Sequence, residues 1–78
     1  MILVVDDDKI LSQLMRTLLE NAGYTVTEAN DGQTAWKHMQ DPRCRAVLLD
    51  IQMPGINGAE LLMLMSAEGL DIPVLVVA

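Results

Sequence analysis

Val47-Leu48-Leu49-Asp50-Ile51-Gln52-Met53-Pro54-Gly55-Ile56-Asn57-Gly58 is the stretch that decides the fold. It opens with an aliphatic run that ends on a carboxylate, the form of a buried parallel strand whose last residue emerges at the sheet edge. The Pro-Gly and Asn-Gly pairs that follow are turn formers leading into a helix. The same arrangement stands at the start of the chain, where Ile2-Leu3-Val4-Val5 runs into Asp6-Asp7-Asp8. In an open parallel sheet the strand C-termini share one edge, and ligands bind in the crevice beyond it. The two acidic strand ends are therefore expected to converge. Carboxylates crowded in one place repel one another and attract a hard cation. Mg²⁺ suits such a site because it takes oxygen ligands, keeps several waters and is commonly held by one or two carboxylates plus a phosphate. The chemistry suggested is phosphate chemistry.

Outward from these two strands, the chain alternates strand and helix. From Lys9 to Ala22 the apolar positions Ile10, Leu11, Leu14, Met15, Leu18, Leu19 and Ala22 recur at helical spacing. Asp8 stands where an N-cap belongs, and Gly23 is the C-terminal stop. Tyr24–Ala29 alternates with β-branched residues and suits an edge strand. Asn30-Asp31-Gly32 makes a turn and caps a shorter helix over Gln33–Gln40, which Asp41-Pro42 ends. Cys44–Leu49 is expected as a central strand, Gly58–Glu68 as a third helix stopped by Gly69, and Ile72–Val77 as a fourth strand. Tight connections and right-handed crossovers then give an α/β fold, a parallel sheet of order 2-1-3-4 with helices on both faces. No internal repeat, linker or low-complexity segment interrupts it.

Composition narrows the function classes. With 78 residues the chain holds one domain and a modest core. Its 51% hydrophobic content is aliphatic and Met-rich, with Tyr24 and Trp36 the only aromatics, as befits a sheet buried on both faces. A net charge of −6 with only Lys9, Arg16, Lys37, Arg43 and Arg45 argues against a nucleic-acid surface. Cys44 is the single cysteine, so no intramolecular disulfide forms, and it reads as a small buried hydrophobe in a reducing, cytoplasmic setting. No signal-peptide pattern or membrane-spanning run is present, because the acid triplet breaks the N-terminal apolar stretch. The methionines read as core filler, His38 as a surface residue and Trp36 as a partly buried helix anchor. Alone, Asp6-Asp7-Asp8 would be a solvated turn and helix cap; its repetition of the Asp50 pattern is what makes it a site.

The ordered set Ile2-Leu3-Val4-Val5-Asp6-Asp7-Asp8, Glu20-Asn21-Ala22-Gly23-Tyr24, Asp31-Gly32, Leu48-Leu49-Asp50-Ile51-Gln52-Met53-Pro54-Gly55-Ile56-Asn57-Gly58 and Ile72-Pro73-Val74 resembles the receiver domain of bacterial two-component response regulators. The resemblance implies a flavodoxin-like (CheY-like) fold. It implies that Asp50 is the phospho-acceptor, that Asp6 and Asp7 organise Mg²⁺ together with Asp50, and that Gln52 gives its backbone carbonyl to the metal. It also implies a sensor histidine kinase or phosphotransfer protein as partner. Asp8, one residue past the acidic pair, is the helix cap.

Set against that family, the chain reads as a receiver-like domain over residues 1–78 that is incomplete at the C-terminus, stopping before a fourth helix and a fifth strand. The strand-end lysine of the family has no counterpart here, since neither Lys9 nor Lys37 follows such a strand, and Ala78 falls where the family has a Ser or Thr hydroxyl. Slow self-phosphorylation and autodephosphorylation of an aspartyl phosphate is the most activity expected. Leu61-Leu62-Met63-Leu64-Met65 is apolar nearly all round, and Val74-Leu75-Val76-Val77 would be an aliphatic edge. Both features predict a homo-oligomer that buries the strand-four edge and exposed helix faces. The competing function is accordingly a non-catalytic assembly or interaction module of receiver ancestry, completed by another chain. A third class, the aspartate-nucleophile phosphohydrolases, shares the D-x-D of Asp6-Asp7-Asp8. It fails on Lys9, where those enzymes favour a small residue, and leaves the Asp50 loop unexplained.

Overall fold

A computed structural model of the chain describes residues 1–51 and 58–77. β1 (Ile2–Val5) lies inside the sheet and pairs on both sides, with β2 (Val26–Ala29) and with β3 (Ala46–Asp50), while β4 (Val74–Val77) adds to the far side of β3. All pairs are parallel and the order is β2-β1-β3-β4. In register, Val5 faces Ala29 and Leu49, and Asp50 faces Val77, so the strands finish together along one edge.

The connecting helices are α1 (Lys9–Asn21), α2 (Gly32–Met39) and α3 (Gly58–Ala67). α1 begins where the Asp8 carboxylate accepts the N–H groups of Ile10 and Leu11 at 3.0 and 3.2 Å. It ends at Gly23, whose φ of 97° is the left-handed conformation that glycine enters freely; Gly23 N–H bonds back to Glu20 and Tyr24 N–H to Leu19. α3 ends in the same way, with Gly69 N–H on Ser66 and Leu70 N–H on Met65. α2 is capped by Asp31, which accepts from Thr34 N–H at 2.7 Å.

Three strands start later than their apolar patterns. Tyr24 gives its N–H to the end of α1, Cys44 gives its N–H to Asp41 in the turn after α2, and Pro73 has none to give, so β2, β3 and β4 begin at Val26, Ala46 and Val74. β3 also runs one residue further, through Asp50.

Alternation along the strands sorts the side chains onto two faces. On one face Leu3, Val5, Ala29, Val47 and Leu49 form the core with Ala35 and Met39 of α2 and Leu61 and Met65 of α3, and Trp36 and Leu70 pack at its margin. The other face lies under α1, which crosses β1 and β2. There Val4 is fully buried, Ser12 of α1 is buried as well, and Glu28 of β2 receives the Ser12 hydroxyl at 2.7 Å and the Arg16 guanidinium at 3.1 Å. Cys44 is buried and unpaired, as its lone occurrence suggested.

Candidate functional site

The edge where β1 and β3 end carries the acidic residues. Asp6, Asp7 and Asp50 each present a carboxylate oxygen such that the three lie within 4.8 Å of one another. Their settings differ: Asp6 is buried, Asp50 half-buried and Asp7 exposed. Asp6 is fixed by its own main chain and its neighbours. Its N–H donates to Ala29 O at 3.1 Å, its carbonyl accepts Asn30 Nδ2 at 2.9 Å, and its Oδ1 accepts Asp8 N–H at 2.9 Å. The acid triplet thus divides its work: Asp6 and Asp7 face the cluster, and Asp8 caps α1 while lending its N–H to Asp6.

Gly58 closes the site from the side of α3. Its N–H donates to Ile51 O at 3.2 Å, and a Cβ built on it would stand 2.5 Å from Ile51 Cα and 2.8 Å from Asp50 O. Only a residue without a side chain allows the first turn of α3 to meet the end of β3 this closely. The Asn-Gly pair read as a turn signal is therefore, at its glycine, a close-approach position. Gln52, with its carbonyl, and the Pro54-Gly55 turn fall outside the described residues, as does Ala78.

The electrostatics are those of crowded acids. The Asp6 carboxyl is raised above its ordinary value, first by burial, against which the Asp8 N–H works, and then by the charge of Asp50, a hydrogen bond shared with it, and the charge of Asp7. Apart from the Asp8 N–H, each of these influences disfavours the charged carboxylate. A divalent ion at the same place would favour the carboxylate and offset the repulsion among the three acids. The donor set fits Mg²⁺, because all three groups offer hard carboxylate oxygens and these lie within 4.8 Å of one another.

Asn30 was legible only as a turn residue; the hydrogen bond its side-chain amide donates to the Asp6 carbonyl also anchors the end of β1 against that of β2. The sequence carried no signal for the Ser12–Glu28–Arg16 contact, because serine and glutamate at these positions look like ordinary surface residues of a helix and an edge strand. The acid site and this contact lie on neighbouring parts of the molecule but share no residue.

Comparison with known proteins agrees with the geometry. The family profile described as the response regulator receiver domain matches residues 2–78. The chain is 40% identical over 75 residues to the response regulator MprA of Mycobacterium ulcerans, covering 96% of this chain and 32% of that protein. It is 46% identical over 59 residues to the CAI-1 autoinducer sensor kinase/phosphatase CqsS of Vibrio cholerae, covering 76% of this chain and 9% of that protein. Among solved structures, the receiver domain of the Francisella response regulator 1452 superposes with a TM-score of 0.91 at 31% identity, over 96% of this chain and 62% of that one. TrrA from Thermotoga maritima, solved in complex with Mg²⁺-BeF, superposes with a TM-score of 0.85 at 34% identity, over 94% of this chain and 64% of that one. The chain thus spans about a third of MprA and somewhat under two thirds of these solved relatives.

Proposed function

The chain belongs to the response regulator receiver family, and on that basis we propose that it takes a phosphoryl group from a phosphohistidine donor onto Asp50. The observation that carries the reading is the convergence of Asp6, Asp7 and Asp50 at one strand edge. In the transfer, an Asp50 oxygen attacks phosphorus opposite the departing imidazole. The P–N bond breaks as the P–O bond forms, the donor ring, already protonated at its other nitrogen, takes the bonding electron pair and leaves as neutral imidazole, and Asp50 becomes an acyl phosphate. A carboxylate is a weak nucleophile toward phosphorus, so positioning and charge neutralisation supply the rate.

Asp6, Asp7 and Asp50 would hold Mg²⁺, with the Gln52 carbonyl as a further ligand assigned by resemblance. The ion supplies charge neutralisation and a template for the phosphoryl oxygens. The Mg²⁺-BeF complex of TrrA supports this assignment by likeness. The chain's own residues do the remaining work. Asn30 and the Asp8 N–H fix Asp6, and the Gly58 contact with Ile51 fixes the exit from β3 beside Asp50. Likeness to CqsS and MprA supports a sensor histidine kinase or phosphotransfer protein as donor, and with it a cytoplasmic setting. Lys9 opens α1 and Lys37 lies in the last turn of α2, so neither stands at the end of a strand to meet the phosphoryl oxygens.

Incubation with acetyl phosphate and Mg²⁺, read by intact mass, tests the function. The expected result is one phosphoryl adduct that is labile to hydroxylamine, lost in Asp50→Asn and dependent on the metal. An adduct that persists in Asp50→Asn would overturn the assignment. Titration of Mn²⁺ against Trp36 fluorescence or amide shifts tests the metal separately, with Asp7→Ala and Asp50→Ala expected to weaken the response.

A second reading, self-association as an assembly module, rests on the exposed apolar residues Ile10, Leu14 and Leu18 of α1, Met63 of α3 and Leu75 of β4. Sedimentation at low micromolar concentration decides it, a monomer there excluding a stable dimer.

A further inference from the structure

At the opposite, N-terminal edge of the sheet lies a cleft of about 540 Å³ that no step of the phosphoryl transfer uses. It opens between the start of β2, the end of α2 and the turn into β3, and Thr25, Thr27, His38, Asp41, Arg43 and Arg45 line it. We propose that this cleft binds a small molecule through a phosphate group.

Charge is the first argument. The chain holds 5 Lys and Arg against 11 Asp and Glu. Two of those cations, Arg43 and Arg45, share the cleft with one carboxylate, Asp41. Among the lining side chains two guanidinium groups therefore stand against one carboxylate, with His38 neutral, in a molecule of net charge −6. The last turn of α2 turns its carbonyls toward this end, and Lys37 and His38 in that turn offset their negative pole.

Preorganisation is the second. The Asp41 carboxylate accepts Arg43 Nε at 3.2 Å, Arg43 Nη2 at 2.8 Å and the Arg43 N–H at 2.9 Å. Its charge is spent on that fork, and the remaining N–H groups of Arg43 stay available. The turn itself is pinned, because Cys44 N–H bonds to Asp41 O and Arg45 N–H to Met1 O, each at 2.9 Å. The Arg45 guanidinium and the hydroxyls of Thr25 and Thr27 make no hydrogen bond to any described residue. Unpaired guanidinium donors on a fixed turn, with unpaired hydroxyls on the adjoining start of β2, suit a tetrahedral oxyanion, which accepts several charge-assisted bonds at once. The volume falls within the range of small-molecule sites and exceeds what phosphate alone would fill.

The site is independent of Asp50, and the test keeps them apart. Phosphate, then adenosine monophosphate, is titrated into the labelled full chain in metal-free buffer at constant ionic strength, with amide shifts as the readout. The expected result is saturable shifts at Thr25, Thr27, Arg43 and Arg45, unchanged in Asp50→Asn. Arg45→Ala removes a side chain that nothing in the fold leans on, and it should raise the midpoint roughly tenfold or more; Arg45→Lys should recover part of the loss. Tighter binding of the nucleotide than of phosphate would support the site and assign the rest of the cleft to the organic moiety, and equal binding would support it as a phosphate site alone. Shifts that do not saturate, that chloride reproduces, or that are the same in Arg45→Ala would overturn it.

Discussion

On the sheet face covered by α2 and α3, Leu3, Val47, Leu49 and Leu61 are at most 1% exposed, whereas on the α1 face Leu75 is 63% and Ile10 81% exposed. Both faces are built from the same kind of strand, so strand chemistry does not explain the contrast. Two helices reach across the first face, while α1 alone covers the second and stops over β1 and β2. The total surface, 4862 Å² for a mass of 8.6 kDa, is close to the ~4,700 Å² that scaling assigns to a folded monomer of this size. What is unusual is therefore the kind of surface left outside and not its extent. Stability should be concentrated on the closed face, and tolerance on the open one.

The largest effect expected is on the closed face. Leu49→Ala and Leu61→Ala each remove a fully buried side chain and should cost about 2–5 kcal/mol in urea denaturation. For a domain of this size that approaches the whole stability. If either variant unfolds no more easily than the wild type, the closed face is not where the fold is held.

Next comes Gly58→Ala at the rim of that face, where the new methyl would meet Ile51 Cα and Asp50 O. Backbone has to shift, at about 1–3 kcal/mol. The same shift moves Asp50, so the Mn²⁺ response should weaken along with the denaturation midpoint. Loss of stability with an unaltered metal response would separate the two.

On the α1 side, Ser12→Ala should cost about 1 kcal/mol, because it removes the buried hydroxyl that Glu28 accepts while leaving Arg16 in place. Glu28 also brings a pH dependence. Its carboxyl is held below the ordinary 4.5, first by the Ser12 hydroxyl and then by Arg16. A carboxyl lowered on folding stabilises above its unfolded pKa and loses that contribution as pH falls through the folded value. Glu28→Gln should thus flatten the acid limb of the stability curve below about pH 4.5 and leave its shape unchanged above it. Asp31 and Asp41, lowered in the same direction, keep their share of the slope in both proteins. A limb identical to the wild type would mean the contact does not hold α1 to β2.

The smallest effects belong to the open surface. Ile10→Gln and Leu75→Thr should change stability by ~0.5 kcal/mol or less. If they cost as much as Leu61→Ala, these residues are covered in solution, and sedimentation of the wild type will find an assembly.

The sheet order, the capping of α1 by Asp8 and the stops at Gly23 and Gly69 were legible in the sequence because each depends on local pattern: aliphatic runs, helical spacing and glycine after the last turn. The starts of β2, β3 and β4 were misjudged by two residues each, because Tyr24, Cys44 and Pro73 suit strands by composition while their N–H groups are used in turns or missing. At the site, the meeting of Asp6, Asp7 and Asp50 followed from topology alone. The support around it did not. Asn30 holding the Asp6 carbonyl and Gly58 abutting Ile51 are consequences of distances between elements, and a linear pattern carries no such distances. The cleft around Arg43 and Arg45 was hidden for a similar reason: two arginines in a turn look like solvated charge until β2 and α2 are set beside them.

The placement of β1 between β2 and β3 also governs the order in which the protein can assemble. Ile2 pairs with Ala46, so one full side of β1 lacks its partner until 44 further residues have been made. At the usual ~5–20 residues per second of synthesis this is a wait of roughly 2–9 seconds. Throughout it, an almost wholly aliphatic segment can be shielded only by α1, β2 and, once it has been made, α2. α1 folds locally in about a microsecond, so it is available as an early cover for β1 on one face, and its apolar side is broad enough for that temporary role. The nascent β1–α1–β2 unit is then the segment most exposed to wrong pairing, and α1 protects it before it contributes to anything else.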